Sequence, residues 1–143
     1  MAIGGFNRLA ATDSSLAPML VRLVAGLVFV SFSFGKFLSH TAEAAAFDRY
    51  GIPAPEITTY LVGSLELLGG VALILGIATR PVAALLAANM VGAIATAGRI
   101  EGGPVHLGLA PALLVGMLFL VWRGAGARSL DRSLSPTSAP SGA

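Results

Sequence analysis

The chain has 143 residues, of which 55% are hydrophobic and 11% charged, and its mean hydropathy is +0.83. These values exclude an ordinary soluble domain and predict an integral membrane protein, and the absence of cysteine excludes disulfides and Cys-ligated iron–sulfur clusters. The formal charge of +2 comes from basic residues at the ends of the apolar segments, where they act as topology signals, so nucleic acid is not an expected partner.

Four apolar segments predict an all-α fold, an integral membrane four-helix bundle with a short interfacial helix between the first and second spans. We divide the chain into an N-terminal tail (residues 1–16), a transmembrane domain (17–122) and a cytoplasmic C-terminal tail (123–143). The Ser/Pro-rich end of the C-terminal tail is predicted to be disordered.

The first predicted span covers residues 17–38 and has its polar side chains along one stripe, which should face the other helices. Snorkelling to the membrane surfaces is the alternative for its two basic residues. A cleaved signal peptide is the competing interpretation of the segment, but the apolar run is longer than such signals usually have. The stripe, at alternating steps of four and three, consists of Arg22, Gly26, Phe29, Ser33, Lys36 and His40.

Residues 40–56 predict a short helix at the membrane interface. Thr41 can cap its start, and Gly51 suits a left-handed end. Pro53 and Pro55 then stop this helix and begin the next one. An extended loop is the alternative.

The second span, residues 57–77, has a single carboxylate, Glu66, at its middle. An ionised carboxylate at that depth costs a few kcal/mol, so it should face protein and find a partner. Gly63 and Gly70 lie three residues before it and four after it, on the face where a second backbone can approach. We therefore expect Glu66 to point into the bundle.

The third span, residues 81–97, follows a tight turn and forms an antiparallel hairpin with the second. Its strongly polar side chain is Asn89, for which contact with Glu66 is predicted from the depths of the two residues. A stripe of small residues should let another helix approach closely. The stripe consists of Ala84, Ala88, Gly92 and Thr96.

The fourth span, residues 105–122, contains Pro111, which is predicted to kink it. Basic residues beside the spans place both termini in the cytoplasm and the chain in the inner (cytoplasmic) membrane as a multi-pass protein. In this orientation Lys36, His40 and His106 form an outer-side polar cluster.

Arg22, Glu66 and Asn89 are predicted to form a central polar network, in which an extended Arg22 side chain reaches Glu66. Three interpretations stay open: the network only fixes helix positions, it lines a pocket for a quinone or lipid, or it conducts protons or solutes. No catalytic or metal site is predicted, because no nucleophile, phosphate loop or ligand spacing is present. Haem ligation by the two histidines is disfavoured, since neither clearly lies inside the bundle.

The second span and the turn after it contain a motif of spaced Glu, Gly, Leu, Thr and Arg residues. The segment from Glu66 to Arg80 resembles the E-x-x-G-G-x-x-L-x-x-G-x-x-T-R pattern of the DoxX family of small four-helix membrane proteins. Arg22, Gly35-Lys36, Gly51-Ile52-Pro53 and residues 124–131 fit the family in the same order, so the resemblance covers about residues 20–132.

The resemblance implies a non-catalytic membrane subunit or accessory protein of a quinone-linked redox assembly, because the name-giving relatives are subunits of a thiosulfate:quinone oxidoreductase. Quinone, membrane lipid and oxidoreductase subunits are then the expected ligands and partners. The alternatives are a lipid- or small-molecule-binding or transport protein and a purely structural membrane partner, and the small-residue stripes also permit homo-oligomers. Many members carry an acid near the start of the fourth span, where this chain has His106, with Glu101 in the preceding loop.

Overall fold

In the computed structural model, which describes residues 16–134, four helical segments are long and apolar enough to cross a membrane. The predicted all-α membrane bundle is therefore confirmed. Residues 1–15 of the predicted N-terminal tail and residues 135–143 of the predicted C-terminal tail lie outside the described residues. The four segments are Leu16–Leu38, Pro55–Leu75, Thr79–Ile100 and Val105–Arg123.

The helices follow one another with short connections. The first two spans are α1 and α3, the third consists of α4 and α5, and the fourth begins with a π-helical turn that continues into α6. The elements are α1 (Leu16–Leu38), α2 (His40–Arg49), α3 (Pro55–Leu75), α4 (Thr79–Ala95), α5 (Ala97–Ile100), the π-helical turn (Val105–Leu109), α6 (Ala110–Arg123) and α7 (Leu130–Leu134).

The short helix α2 is present between the first two spans, as predicted. Ser39, not Thr41, is its N-cap residue, because α2 starts only one residue after α1 ends and Thr41 already lies inside its first turn. Gly51 follows the helix with a φ of +73°, the left-handed conformation expected of it. Pro55 then begins α3.

Two glycines set the register of α1 against α3, the pair with the most extensive contact in the bundle. A Cβ on either Gly26 or Gly70 would lie 2.8 Å from the carbonyl oxygen of the other, so the two backbones touch. Further along, a Cβ on Gly63 would lie 3.0 Å from the Cβ of Lys36. These antiparallel contacts place each residue of α1 at a defined level of α3.

The spans pack as two helix pairs, α1 with α3 and α4 with α6. We call the end where α3 turns into α4 the terminal end, and the opposite end the α2 end. Between the pairs, a Cβ on Gly69 would meet Leu86 and a Cβ on Gly116 would meet Val21. The pairs are thus closely packed towards the terminal end. Fully buried apolar side chains form the core there: Leu73, Leu86, Met117 and Leu120.

The fourth span changes geometry at Pro111. Proline has no backbone N–H, and its ring would collide with the carbonyl four residues earlier in a regular α-helix. The π-helical turn Val105–Leu109 precedes the proline and widens the backbone there, and Pro111 occupies the first turn of α6. The irregularity predicted from Pro111 is therefore a π-helical turn at the α2 end.

Candidate functional site

The carboxylate of Glu66 is 6% exposed and has one partner on each oxygen. Lys36 Nζ lies 2.8 Å from Oε2, and Asn89 Nδ2 donates a hydrogen bond to Oε1 at 3.0 Å. Three helices supply these side chains, so the ion pair and the amide hold α1, α3 and α4 together. We call Lys36, Glu66 and Asn89 the Glu66 group.

Arg22 does not belong to this group, so the predicted pairing of Arg22 with Glu66 is not formed. The glycine register places Arg22 beside Gly76. Gly76 is ten residues from Glu66, or about 15 Å along a helix, which exceeds the reach of an arginine side chain. Lys36 lies beside Gly63, only one turn from Glu66, and therefore takes the position that was predicted for Arg22.

Arg22 instead ties the C-terminal segment to the terminal end. It is 1% exposed, and its Nη2 donates to the carbonyl oxygen of Arg128 at 3.1 Å. Asp131 supplies the nearby negative charge and accepts hydrogen bonds from the backbone nitrogens of Ala78 (2.6 Å) and Thr79 (2.8 Å). The first part of the predicted C-terminal tail thus packs on the bundle. We call Arg22, Gly76, Arg128, Ser129 and Asp131 the Arg22 node.

A cavity of about 730 Å³ opens beside the Glu66 group, towards the α2 end, where the two helix pairs separate. Side chains from all four spans and from α2 line it, and most of them are apolar. Among the apolar lining residues are Val28, Phe29, Phe32, Phe47, Val62, Leu109 and Leu113.

The small-residue stripe of the third span does not pack closely against another helix. Ala88, Gly92 and Thr96 line the cavity, and a Cβ added to Gly92 would meet no atom within 4 Å. Ala84, on the same stripe, is exposed. The predicted close helix approach is therefore not made along this stripe within the described chain, because the partner helices pack on the opposite side of α4, at Leu86 and Met90.

A second polar set lies among the cavity-lining residues at the α2 end. The hydroxyl of Tyr50 donates a hydrogen bond to Glu101 Oε2, which connects α2 to the end of the third span. Burial, and then this hydrogen bond, raise the pKa of Tyr50 to about 12. The ring of His106 lies edge-on to the Tyr50 ring, with centroids 6.2 Å apart.

The predicted outer-side cluster of Lys36, His40 and His106 is divided among three environments. Lys36 pairs with Glu66, whereas the His40 Nε2 atom lies 2.9 Å from Glu56 Oε2. The His40 ring stacks on Tyr60 at 3.7 Å, and His106 contacts Tyr50. Within residues 16–134, no group of three or more His, Asp or Glu side chains is arranged to hold a metal ion.

Two features of the site were missed from sequence. Lys36 was assigned to the outer surface, although its position on the inward stripe of α1 was a signal for a place inside the bundle. Tyr50 carries no such signal, because its contact with Glu101 joins residues 51 positions apart.

Comparisons with known proteins agree with this architecture. Residues 17–99 match the family model DoxX. The chain is 35% identical to "Uncharacterized membrane protein Rv3486" of Mycobacterium tuberculosis over 100% of its own length and 99% of that protein. It is 32% identical to "Putative oxidoreductase CatD" of Bacillus subtilis over 57% of its own length and 59% of that protein. No solved structure matches the chain significantly.

Proposed function

The chain belongs to the DoxX family, and we propose that it is a membrane subunit or accessory protein of a quinone-linked redox assembly. In this proposal the cavity beside the Glu66 group binds the quinone. The printed name of one relative, "Putative oxidoreductase CatD", supports the redox assignment. The redox centre that exchanges electrons with the quinone would belong to a partner subunit.

The observation that carries the proposal is the cavity of about 730 Å³ with a buried ion pair at its wall. Its volume lies in the range of about 300–1,000 Å³ that is typical of small-molecule sites, and such sites combine apolar walls with a few polar groups. A polar network that only fixed helix positions would need no open space beside Glu66. The space favours a ligand with an apolar body and a polar edge.

The Glu66 group offers both kinds of hydrogen-bonding partner to such a ligand. The Lys36 ammonium has three donors, of which the pairing with Glu66 uses one, so it can donate to a quinone carbonyl. The Glu66 carboxylate can accept from the hydroxyl of the reduced form. The phenylalanine side chains and the small residues of α4 would contact the ring and its tail.

We also propose that the chain lies in the inner membrane with both termini in the cytoplasm. The support is the excess of arginine at the terminal end, which carries Arg80, Arg123, Arg128 and Arg132. The cavity would then open towards the outer side of that membrane.

Binding of decylubiquinone to the full chain in nanodiscs, measured by calorimetry, tests the proposal. We expect Glu66→Gln to weaken binding by about tenfold or more, because a charged hydrogen-bonding group is lost. Gly92→Phe should abolish binding, because the new ring would enter the cavity from a position with open space around its Cβ. Ala84→Phe is the matched control, since Ala84 lies on the same stripe but outside the cavity lining.

Two results would overturn the quinone assignment. One is equal binding by wild type and Gly92→Phe. The other is the absence of decylubiquinone binding together with a phospholipid that co-purifies with the wild type and with Ala84→Phe but not with Gly92→Phe. This second result would establish a lipid site instead. Mass spectrometry after extraction in mild detergent identifies such lipids and any partner subunit.

A further inference from the structure

The surfaces at the two ends of the bundle carry opposite charge. Among the described residues, the surface of the terminal end has four arginines and a single acid, Asp131. The surface of the α2 end has two arginines, Arg49 and Arg99, and four acids. We call the first set the arginine surface; it consists of Arg80, Arg123, Arg128 and Arg132.

Asp131, the acid of the terminal end, bonds to the backbone at the start of α4. Its two carboxylate oxygens accept hydrogen bonds from the backbone nitrogens of Ala78 and Thr79, at the start of α4. Its remaining electrostatic attraction includes the buried Arg22. The acid docks the C-terminal segment, and because four arginines face a single acid, this surface has a net positive charge.

The backbone holds the arginine surface in place. Arg128 has a φ of +51°, and its carbonyl oxygen accepts the hydrogen bond from Arg22. Arg80 lies along the backbone at Gly124, where an added Cβ would be 3.4 Å from its Nε. Residues that are far apart in the chain are thus held on one side before any ligand arrives, which lowers the entropic cost of binding.

Apolar side chains border the arginines at the same end. Trp122 is 59% exposed, and the guanidinium of Arg123 lies 5.4 Å from its ring. Leu134 is 76% exposed in the short helix α7, next to Arg132 and Ser133. Tryptophan beside arginine and leucine is the combination typical of the headgroup region of a membrane.

From these observations we infer that the arginine surface binds the headgroups of anionic phospholipids. Guanidinium groups bind phosphate with paired hydrogen bonds, and an anionic lipid adds a net negative charge that a zwitterionic lipid lacks. The exposed Trp122 and Leu134 would lie among the upper parts of the acyl chains. This inference does not depend on the quinone proposal, because the two sites lie at opposite ends of the bundle.

The single tryptophan of the chain reports on this site directly. The full chain is reconstituted in vesicles of phosphatidylcholine in which a fixed fraction is replaced by brominated phosphatidylglycerol or by brominated phosphatidylcholine. Bromine quenches tryptophan fluorescence at short range. We expect the phosphatidylglycerol to quench Trp122 more strongly, with a relative association constant of about five or more, and the difference to shrink at high salt.

The double variant Arg128→Gln/Arg132→Gln should bring that constant close to one, while Arg123, which touches Trp122, stays in place. Arg49→Gln/Arg99→Gln, with the same loss of charge at the α2 end, should leave it unchanged. The inference is wrong if the two brominated lipids quench equally in the wild type, or if both double variants have the same effect. Full relief of the phosphatidylglycerol effect by soluble glycerol phosphate would also contradict it.

Discussion

The Arg22 node and the Glu66 group each contain a buried charge between membrane-spanning helices, yet they differ in what surrounds that charge. Around Arg22 there is no space: an added Cβ on Gly76 would collide with its guanidinium. Beside Glu66 there is a cavity of about 730 Å³. A buried charge in a bundle is therefore not by itself a sign of a binding site. The space next to the charge distinguishes a site from a structural contact.

The two regions also connect different parts of the chain. The Arg22 node joins α1, the turn between α3 and α4, and residues 128–131 at the start of α7, so its hydrogen bonds hold the C-terminal segment on the bundle. The Glu66 group joins three helices that glycine contacts and apolar packing already hold. We therefore expect substitutions at the node to affect stability, and substitutions at the group to affect binding.

Removal of each cation is the strongest way to test this difference. Arg22→Met should lower the free energy of unfolding by about 3 kcal/mol or more, because a buried charged partner is lost where water cannot enter. Lys36→Met should cost about half as much, because the cavity admits water to Glu66 and Asn89 remains bonded to it. Thermal unfolding in detergent measures both. A larger cost for Lys36→Met would contradict the division into a structural and a binding region.

Gly76→Ala tests the lack of space at the node. Gly76 has a φ of +71°, and its Cβ would lie 2.6 Å from the Cβ of Ser129. We expect a loss of about 2–3 kcal/mol from the left-handed backbone and the overlap together. Gly108→Ala is the control, since no atom lies within 4 Å of its added Cβ and its φ is not positive. Similar unfolding temperatures for the two variants would show that the node can expand.

Reaction with a water-soluble maleimide compares access to the two regions, and the cysteine-free chain needs no background substitutions. Gly92→Cys, in the cavity, should react at least about tenfold faster than Ser129→Cys, which is buried in the node. Ala84→Cys reports the rate at a face exposed outside the cavity. A rate at Gly92→Cys as low as that at Ser129→Cys would mean that water does not enter the cavity.

The smallest expected effect is the change in stability when Tyr50 loses its proton at high pH. Its pKa of about 12 lies above the value of about 10 in an unfolded chain, so the folded chain holds the proton more tightly. The stabilisation linked to the burial of neutral Tyr50 and to its hydrogen bond with Glu101 is complete below about pH 10 and is lost as the pH rises through about 12. Tyrosinate absorbance should show this late transition in the wild type and in Tyr60→Phe, and lose it in Tyr50→Phe. Its persistence in Tyr50→Phe would assign it elsewhere.

Much of the architecture could be predicted from local patterns. The helix α2 and the tight turn before α4 were predicted, because apolar length, glycine and proline act within one segment. The contact between Asn89 and Glu66 could also be predicted, because the depths of both residues are counted from the same short turn. The structure contains this contact. The position of Arg22 was not predicted correctly, because it depends on how α1 is aligned with α3.

The number of spans, their order and the presence of an acid that must face protein follow from the sequence alone, because the cost of polar groups in lipid applies to each segment separately. Two other features depend on how the helices pack: Lys36 and not Arg22 pairs with that acid, and Gly92 lines a cavity. The close approach of Gly26 and Gly70 aligns Lys36 with Glu66. The separation of the two helix pairs towards the α2 end leaves the cavity beside Gly92. Both depend on packing between residues distant in the chain, which no local pattern contains.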